Sequence, residues 1–162
     1  MKGSCACGGI QYELSDNLFV VNHCHCSICR KVHGAAFATF GHAKAENFRW
    51  LRGEDLIASY RSSENNLRNF CHVCGSNVPS VFQETNHVRI PMGTLDDDPD
   101  IKPCVHIFVA SKTPWFEITD SLPQYPEMPD PLFVASKFPW LKISDAPIEY
   151  TEMPDQERTD TR

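Results

Sequence analysis

The sequence has no long apolar run. No segment approaches the roughly 18 consecutive apolar residues expected of a membrane-spanning helix, and the first residues, Met1 to Cys5, contain no apolar stretch of the kind found in signal peptides. We therefore expect a cytoplasmic protein that does not interact with a membrane. Thiols stay reduced in the cytoplasm, where closely spaced cysteines are more often metal ligands than disulfide partners.

A continuous basic segment is also missing. The formal net charge is −6, and Arg30 and Lys31 form the only adjacent pair among the 15 lysines and arginines. Proteins that bind nucleic acid usually carry a patch or stripe of basic residues that contacts phosphates. The sequence therefore excludes nucleic acid as an expected partner and favours a small molecule or another protein.

No stretch of the sequence predicts a long amphipathic helix. The strongest helical segment spans only residues 27–33, and Gly34 follows it as a candidate C-cap. Short runs of β-branched and aromatic residues are common instead, and glycine, proline, asparagine and aspartate residues typical of turns separate them. These runs lie at residues 10–14, 36–40, 48–51, 56–60, 78–82, 88–90 and 105–109. The pattern predicts a mainly β fold.

Residues 107–130 are repeated as residues 132–155. The period is 25 residues, and 14 of the 24 aligned positions are identical, which indicates a local duplication. Two copies are too few for a solenoid. We therefore predict one domain over residues 1–131, followed by residues 132–162, which comprise the duplicate and a polar tail. The second copy either competes with the first for one docking position, which would allow strand exchange in a homodimer, or forms a passive tail.

Four of the eight cysteines form two closely spaced pairs. The pairs are Cys5 with Cys7 and Cys71 with Cys74, and a glycine directly follows each pair. A tight turn that carries such a cysteine pair, called a knuckle, presents both sulfurs to one tetrahedral ion. Glycine can adopt the positive φ that the turn often requires. The two pairs together predict a closed structural zinc site.

Three further cysteines, Cys24, Cys26 and Cys29, lie within six residues. Structural zinc sites usually take four protein ligands, whereas catalytic sites typically keep three and leave one position to water or substrate. The cluster therefore predicts a second, open zinc site, where a coordinated thiol would lose its proton and become a nucleophile toward an electrophilic carbon. Alternatively, Cys104 or a nearby histidine closes the site, and a closed site predicts no chemistry.

Arg30 and Lys31 directly follow the three-cysteine cluster. Their positive charges would suit the carboxylates of an anionic substrate. The alternative interpretation is that both are solvated cations on a helix surface.

The ordered cysteine groups resemble those of the glutathione-dependent formaldehyde-activating enzyme family. The matching segments are GSCACGGIQYE (3–13), CHCSICRK (24–31), RNFCHVCGS (68–76), GTLDDDP (93–99) and HIFVASKTPW (106–115). The resemblance implies a β-tent zinc-binding fold, built from short antiparallel strands, with two zinc ions per chain. It assigns the structural metal role to Cys5, Cys7, Cys71 and Cys74, and the catalytic metal role to Cys24, Cys26 and Cys29.

The resemblance also implies a carbon–sulfur lyase that acts on a thiol adduct. The founding activity of the family is the formation of S-(hydroxymethyl)glutathione from glutathione and formaldehyde, so glutathione is the expected small thiol substrate. The alternative function is a non-enzymatic, zinc-stabilised module that binds another protein. The two functions differ at the second metal site, which must be open in the enzyme and filled by protein ligands in the binding module.

Overall fold

The structure is a computed structural model that describes residues 1–64 and 66–129. The duplicate and polar tail predicted at residues 132–162 lie outside the described residues. Among the helices that are described, none is long and apolar enough to cross a membrane.

The described chain consists of short strands, several 3₁₀ turns and one α-helix, α1 (Ser27–His33). The strands are β1 (Lys2–Ser4), β2 (Gln11–Leu14), β3 (Val20–Cys24), β4 (Ala38–Lys44), β5 (Phe48–Arg52), β6 (Ile57–Ser63), β7 (Asn66–Cys71), β8 (Asn77–Val78), β9 (Ser80–Phe82), β10 (His87–Pro91) and β11 (Val105–Ile107).

The strands form three sheets, with the orders β1-β2-β5, β11-β3-β4-β10-β9 and β6-β7-β8. Neighbouring strands are antiparallel, except for β11, which pairs in parallel with β3. The prediction of a mainly β fold built from short antiparallel strands is therefore confirmed, with one parallel pair at the edge of the central sheet.

The largest hydrophobic core joins the first sheet to the central sheet. Tyr12 and Leu14 of β2 pack in one cluster with Val21 of β3 and with Val88 and Ile90 of β10. These side chains recur at every second position of β2 and β10, as expected of strands with one buried face. Burial of this shared face fixes the two sheets against each other.

All seven predicted strand segments overlap an observed strand. The run at residues 78–82 is divided between β8 and β9, because Pro79 has no N–H with which to continue a ladder. Three strands, β1, β3 and β7, lie outside the predicted segments. Both β3 and β7 place polar residues at buried positions, including Asn22 and Arg68, so neither has the apolar alternation that predicts a strand.

The α-helix occupies the predicted residues. It ends at Gly34, whose φ of 58° and ψ of 35° are left-handed and whose N–H points at the carbonyls of Arg30 and Lys31. Glycine adopts this conformation without steric cost, and the bond satisfies carbonyls that lack a partner at the helix end. The predicted helix and its C-cap are confirmed.

Candidate metal centres and active site

The first cysteine cluster joins two sheets. Cys5 and Cys7 follow β1 in the first sheet, whereas Cys71 ends β7 and Cys74 lies in the turn after it, in the third sheet. The four Sγ atoms lie within 4.8 Å of one another. The structure therefore brings together all four residues of the predicted closed site.

The spacing of these sulfurs fits a tetrahedral metal ion. Cys5 Sγ lies 3.4 Å from Cys7 Sγ, and Cys7 Sγ lies 3.9 Å from Cys71 Sγ. An ion with tetrahedral bonds of about 2.3 Å to sulfur, the length typical of zinc, separates its ligands by about 3.8 Å. The cluster can therefore hold a metal ion with little movement.

Backbone and hydroxyl groups surround the same sulfurs. The Ile10 N–H donates to Cys5 Sγ at 3.2 Å, and Cys74 Sγ lies 3.3 Å from Ser76 Oγ. The contacts with Ser76 lower the pKa of the Cys74 thiol to about 5. Both knuckle glycines have positive φ, 69° at Gly8 and 75° at Gly75. The predicted backbone requirement of the knuckles is confirmed. Hydrogen bonds lower the pKa of Cys74, whereas contacts with the neighbouring thiols raise the pKa of Cys7 to about 11.

The second cysteine cluster lies where β3 meets α1. Cys24 ends β3, Cys26 is the N-cap of α1, and Cys29 lies in the first turn of that helix. Their three Sγ atoms lie within 4.8 Å of one another. Cys26 Sγ accepts from the Cys29 N–H at 3.3 Å, which fixes Cys26 as the cap of the helix.

The cluster favours a negative charge on Cys26. Contacts with the Cys24 and Cys29 thiols lower the pKa of Cys26 far below the usual thiol range. Contacts with Cys26 and Cys29 in turn raise the pKa of Cys24. Cys24 and Cys29 are buried, whereas Cys26 is half-buried. Three thiols of this kind form a donor set that suits zinc and other thiophilic metals.

Cys104 does not join the second cluster. Its N–H donates to the Val21 carbonyl at 3.0 Å, and its Sγ lies 3.3 Å from the same oxygen. Val21 precedes Cys24 by three residues on the extended strand β3, a separation of about 10 Å. Among residues 1–64 and 66–129, the donor group at this cluster consists of Cys24, Cys26 and Cys29.

The sequence matches one protein family. The model of the family described as glutathione-dependent formaldehyde-activating enzyme matches residues 1–111. The chain belongs to this family. A Halomonas elongata protein that bears the same family name is 25% identical to the chain over 126 residues, which cover 73% of this chain and 80% of that protein.

A solved structure has a similar fold. The crystal structure of a Rhodobacter sphaeroides protein superposes with a TM-score of 0.51 at 23% identity, and the match covers 62% of this chain and 92% of that one. This likeness concerns the fold alone. The resemblance to the glutathione-dependent formaldehyde-activating enzyme family, predicted from the cysteine groups, is confirmed by the family match.

In this family member, the two histidines beside the second cluster have partners other than the cluster. His23 Nδ1 bonds to Thr39 Oγ1 at 2.9 Å. His25 Nε2 lies 2.8 Å from His106 Nδ1, and His106 Nε2 lies 3.1 Å from Asp120 Oδ2. Because a carboxylate only accepts, His106 donates to Asp120 and accepts from His25 Nε2–H. The chain of bonds ties the segment that carries Cys24 and Cys26 to Asp120.

The two cations predicted to bind a substrate differ in their surroundings. Arg30 Nε donates to the His25 carbonyl at 3.3 Å, and Lys31 is exposed. Arg68, which sequence reasoning missed, instead contacts the cluster, because its Nη2 donates to Cys29 Sγ at 3.5 Å. Arg68 is only 6% exposed. A buried cation beside thiols favours their ionised form, so Arg68 is part of the electrostatic environment of this site.

Proposed function

We propose that this member of the glutathione-dependent formaldehyde-activating enzyme family is a zinc-dependent carbon–sulfur lyase that joins glutathione to formaldehyde and gives S-(hydroxymethyl)glutathione. The observation that carries the proposal is the cluster of Cys24, Cys26 and Cys29, which gathers three thiols while Cys104 lies elsewhere. A site with three protein ligands leaves a tetrahedral ion one position for water or substrate.

We assign one zinc ion to each cysteine cluster. The four-cysteine cluster would hold a structural ion, because its donor set is already complete. The three-cysteine cluster would hold the catalytic ion. When bound there, zinc would lower the pKa of a substrate thiol, so that a thiolate is available at neutral pH.

The half-buried position of Cys26 indicates the side from which a substrate would approach the three-cysteine cluster. Cys24 is 5% exposed and Cys29 is 3% exposed, so protein covers the site on their side. Cys26 is the most accessible of the three cysteines. A substrate would therefore approach the cluster past Cys26, and Arg68 would stabilise negative charge from the buried side.

The proposed reaction involves no net oxidation or reduction. The glutathione sulfur adds to the carbonyl carbon of formaldehyde, so a carbon–sulfur bond forms as the carbon–oxygen double bond becomes a single bond. The proton lost by the thiol ends on that oxygen. The chain therefore has to bind the thiol, hold its sulfur beside the aldehyde and stabilise the thiolate.

The alternative function, a zinc-stabilised module that binds another protein, requires protein ligands at every position of both metal sites. The placement of Cys104 beside Val21 offers no support for a closed second site. No other contact in the described part of the chain favours this alternative over the enzyme.

Cys26→Ser tests the proposed function. We expect the rate of S-(hydroxymethyl)glutathione formation, followed by NMR, to fall by more than the 10- to 100-fold loss typical of changes around a metal ligand. The far-ultraviolet circular dichroism spectrum should stay unchanged, because the four-cysteine cluster is intact. Cys104→Ser is the matched control, and it should keep the wild-type rate.

Two results would contradict the proposed division of roles. The first is a Cys26→Ser variant that is as active as Cys104→Ser. The second is a Cys26→Ser variant that loses its folded spectrum, since the three-cysteine cluster would then be needed for folding.

A further inference from the structure

A small cavity lies beside Arg68. Its lining includes Arg68, Arg89, Asn69, Asn77, Ser80 and His33, and its volume is about 10 Å³, room for about one water molecule or one carboxylate oxygen, with a mouth that is open to solvent. These residues come from α1, β7, β8, β9 and β10, so the cavity lies where the central and third sheets meet. Among its lining residues two are arginines and none is an aspartate or glutamate.

Arg68 connects this cavity to the three-cysteine cluster. Its Nε donates to Ser62 Oγ at 2.9 Å, and its Nη2 donates to Cys29 Sγ at 3.5 Å. The same guanidinium lines the cavity. A group bound in the cavity would therefore lie one side chain away from the sulfurs of the cluster.

The two arginines that line the cavity give it a positive charge. Arg89 packs over the Phe40 ring, 4.9 Å from its centroid, and donates to Asn66 Oδ1 at 2.9 Å. Burial and the positive charges of Arg68 and Arg89 lower the pKa of His33 to about 4, so His33 is neutral at pH 7. The two guanidiniums therefore supply the positive charge, in an environment that fixes their orientation.

Where β7 forms the cavity wall, it buries a charged side chain and exposes an apolar one. Arg68 is 6% exposed, whereas its neighbour Leu67 is 41% exposed. Stability alone favours the opposite arrangement, because burying a cation is costly and burying leucine is favourable. Natural proteins break this pattern chiefly at functional sites.

We propose that the cavity lined by Arg68 and Arg89 binds a carboxylate of the thiol substrate and so directs its sulfur to Cys24, Cys26 and Cys29. Planar guanidiniums match the two oxygens of a carboxylate. The inference rests on the proposed function and deepens it, because it restricts the substrate to thiols that carry a carboxylate. Arg89 is then a residue that determines substrate specificity.

The first test uses the wild-type protein and two thiols. Glutathione diethyl ester keeps the thiol of glutathione and blocks both carboxylates. We expect its kcat/KM with formaldehyde to be about 10- to 100-fold below that of glutathione, the range for losing a hydrogen bond to a charged group. Equal values for the two thiols would overturn the proposal.

The second test uses Arg89→Gln, with Arg61→Gln as the matched control because Arg61 is exposed and donates to the Glu64 carbonyl away from the cavity. We expect Arg89→Gln to raise KM for glutathione about tenfold or more with little change in kcat, and to leave the reaction of the diethyl ester nearly unchanged. A variant that affects both thiols equally would overturn the role of Arg89.

A binding measurement separates this inference from the proposed function. S-methylglutathione keeps both carboxylates and has no free thiol, so its calorimetric titration does not depend on catalysis. Binding to the wild type and to Arg61→Gln, with loss in Arg89→Gln, supports the cavity even if the protein shows no lyase activity. Lyase activity combined with equal binding to wild type and Arg89→Gln would overturn the cavity and leave the proposed function standing.

Discussion

The side chain of Arg68 is buried although it carries a positive charge. It lies against Cys29 Sγ and Ser62 Oγ at the base of the second cluster. A positive charge at this distance stabilises thiolates, which are the form that binds metal. Arg68 should therefore raise the metal affinity of the three-cysteine cluster as well as line the cavity.

Arg68→Met tests this effect on metal affinity. We expect about a 10- to 100-fold loss of zinc affinity at the three-cysteine cluster, the range for partners that surround metal ligands. Competition with a chromophoric chelator measures the affinity, with Arg61→Met as the control for loss of an exposed arginine. An Arg68→Met variant that retains zinc as strongly as the control would show that the contact with Cys29 has no electrostatic role.

The hydrogen bonds of His106 should contribute to stability. Replacing the ring by phenylalanine leaves the buried His25 Nε2–H without its acceptor. An unsatisfied buried group costs about 1–3 kcal/mol, so we expect urea unfolding of His106→Phe to give a free energy lower by that amount. His72→Phe is the control, since His72 is exposed. Equal free energies for the two variants would contradict the geometry of the bond.

Sequence reasoning identified the cysteines and missed the arginines for a physical reason. Cysteine ligands can be recognised in a sequence by their local spacing, because two sulfurs on one knuckle must reach one ion. Arg68 and Arg89 lie on different strands and meet at the cavity only after the sheets have packed. The neighbours Arg30 and Lys31, which local sequence favoured, point to other partners or to solvent.

At the scale of elements, α1 was predictable because its end is determined locally by Gly34. An added Cβ at Gly34 would meet nothing within 4 Å, so only the positive φ opposes a side chain there. Gly93 also has open space around it, without a positive φ.

Gly34→Ala should therefore destabilise the protein by about 1 kcal/mol, the cost of the left-handed conformation. We expect Gly93→Ala to change the free energy of unfolding by less than about 0.5 kcal/mol. Urea denaturation of both variants measures the difference. A Gly34→Ala protein as stable as Gly93→Ala would contradict the left-handed cap.

The position of Cys104 could not be predicted from sequence, because it depends on the parallel register between β11 and β3. That register places Ile107, rather than Cys104, opposite Cys24. A shift of the same strand by three residues would bring Cys104 level with the cluster. The choice between an open and a closed second site therefore depends on a tertiary contact, which the spacing of cysteines does not encode.

At the scale of the whole molecule, the four-cysteine cluster joins the first sheet to the third sheet. Its sulfurs lie in a small core where Cys5 and Cys71 pack with Ile10 and Val78. Bound metal can contribute about 10–16 kcal/mol to the folding of small zinc domains. Loss of the metal here should separate the two sheets and unfold the protein.

Cys71→Ser tests this role of the first cluster. We expect the variant to be unfolded or to unfold at much lower urea concentration than wild type, as followed by circular dichroism. Cys104→Ser, with the same chemical change outside both clusters, should unfold as the wild type does. A Cys71→Ser protein of wild-type stability would contradict the structural role of this cluster.

The zinc content of the Cys26→Ser variant tests whether each cysteine cluster holds one ion. Native mass spectrometry counts the ions bound to each folded chain. We expect two zinc ions in the wild type, one for each cysteine cluster, and one in a Cys26→Ser variant that keeps the wild-type fold. A wild-type chain with a single zinc ion, or a folded Cys26→Ser chain with two, would contradict this expectation.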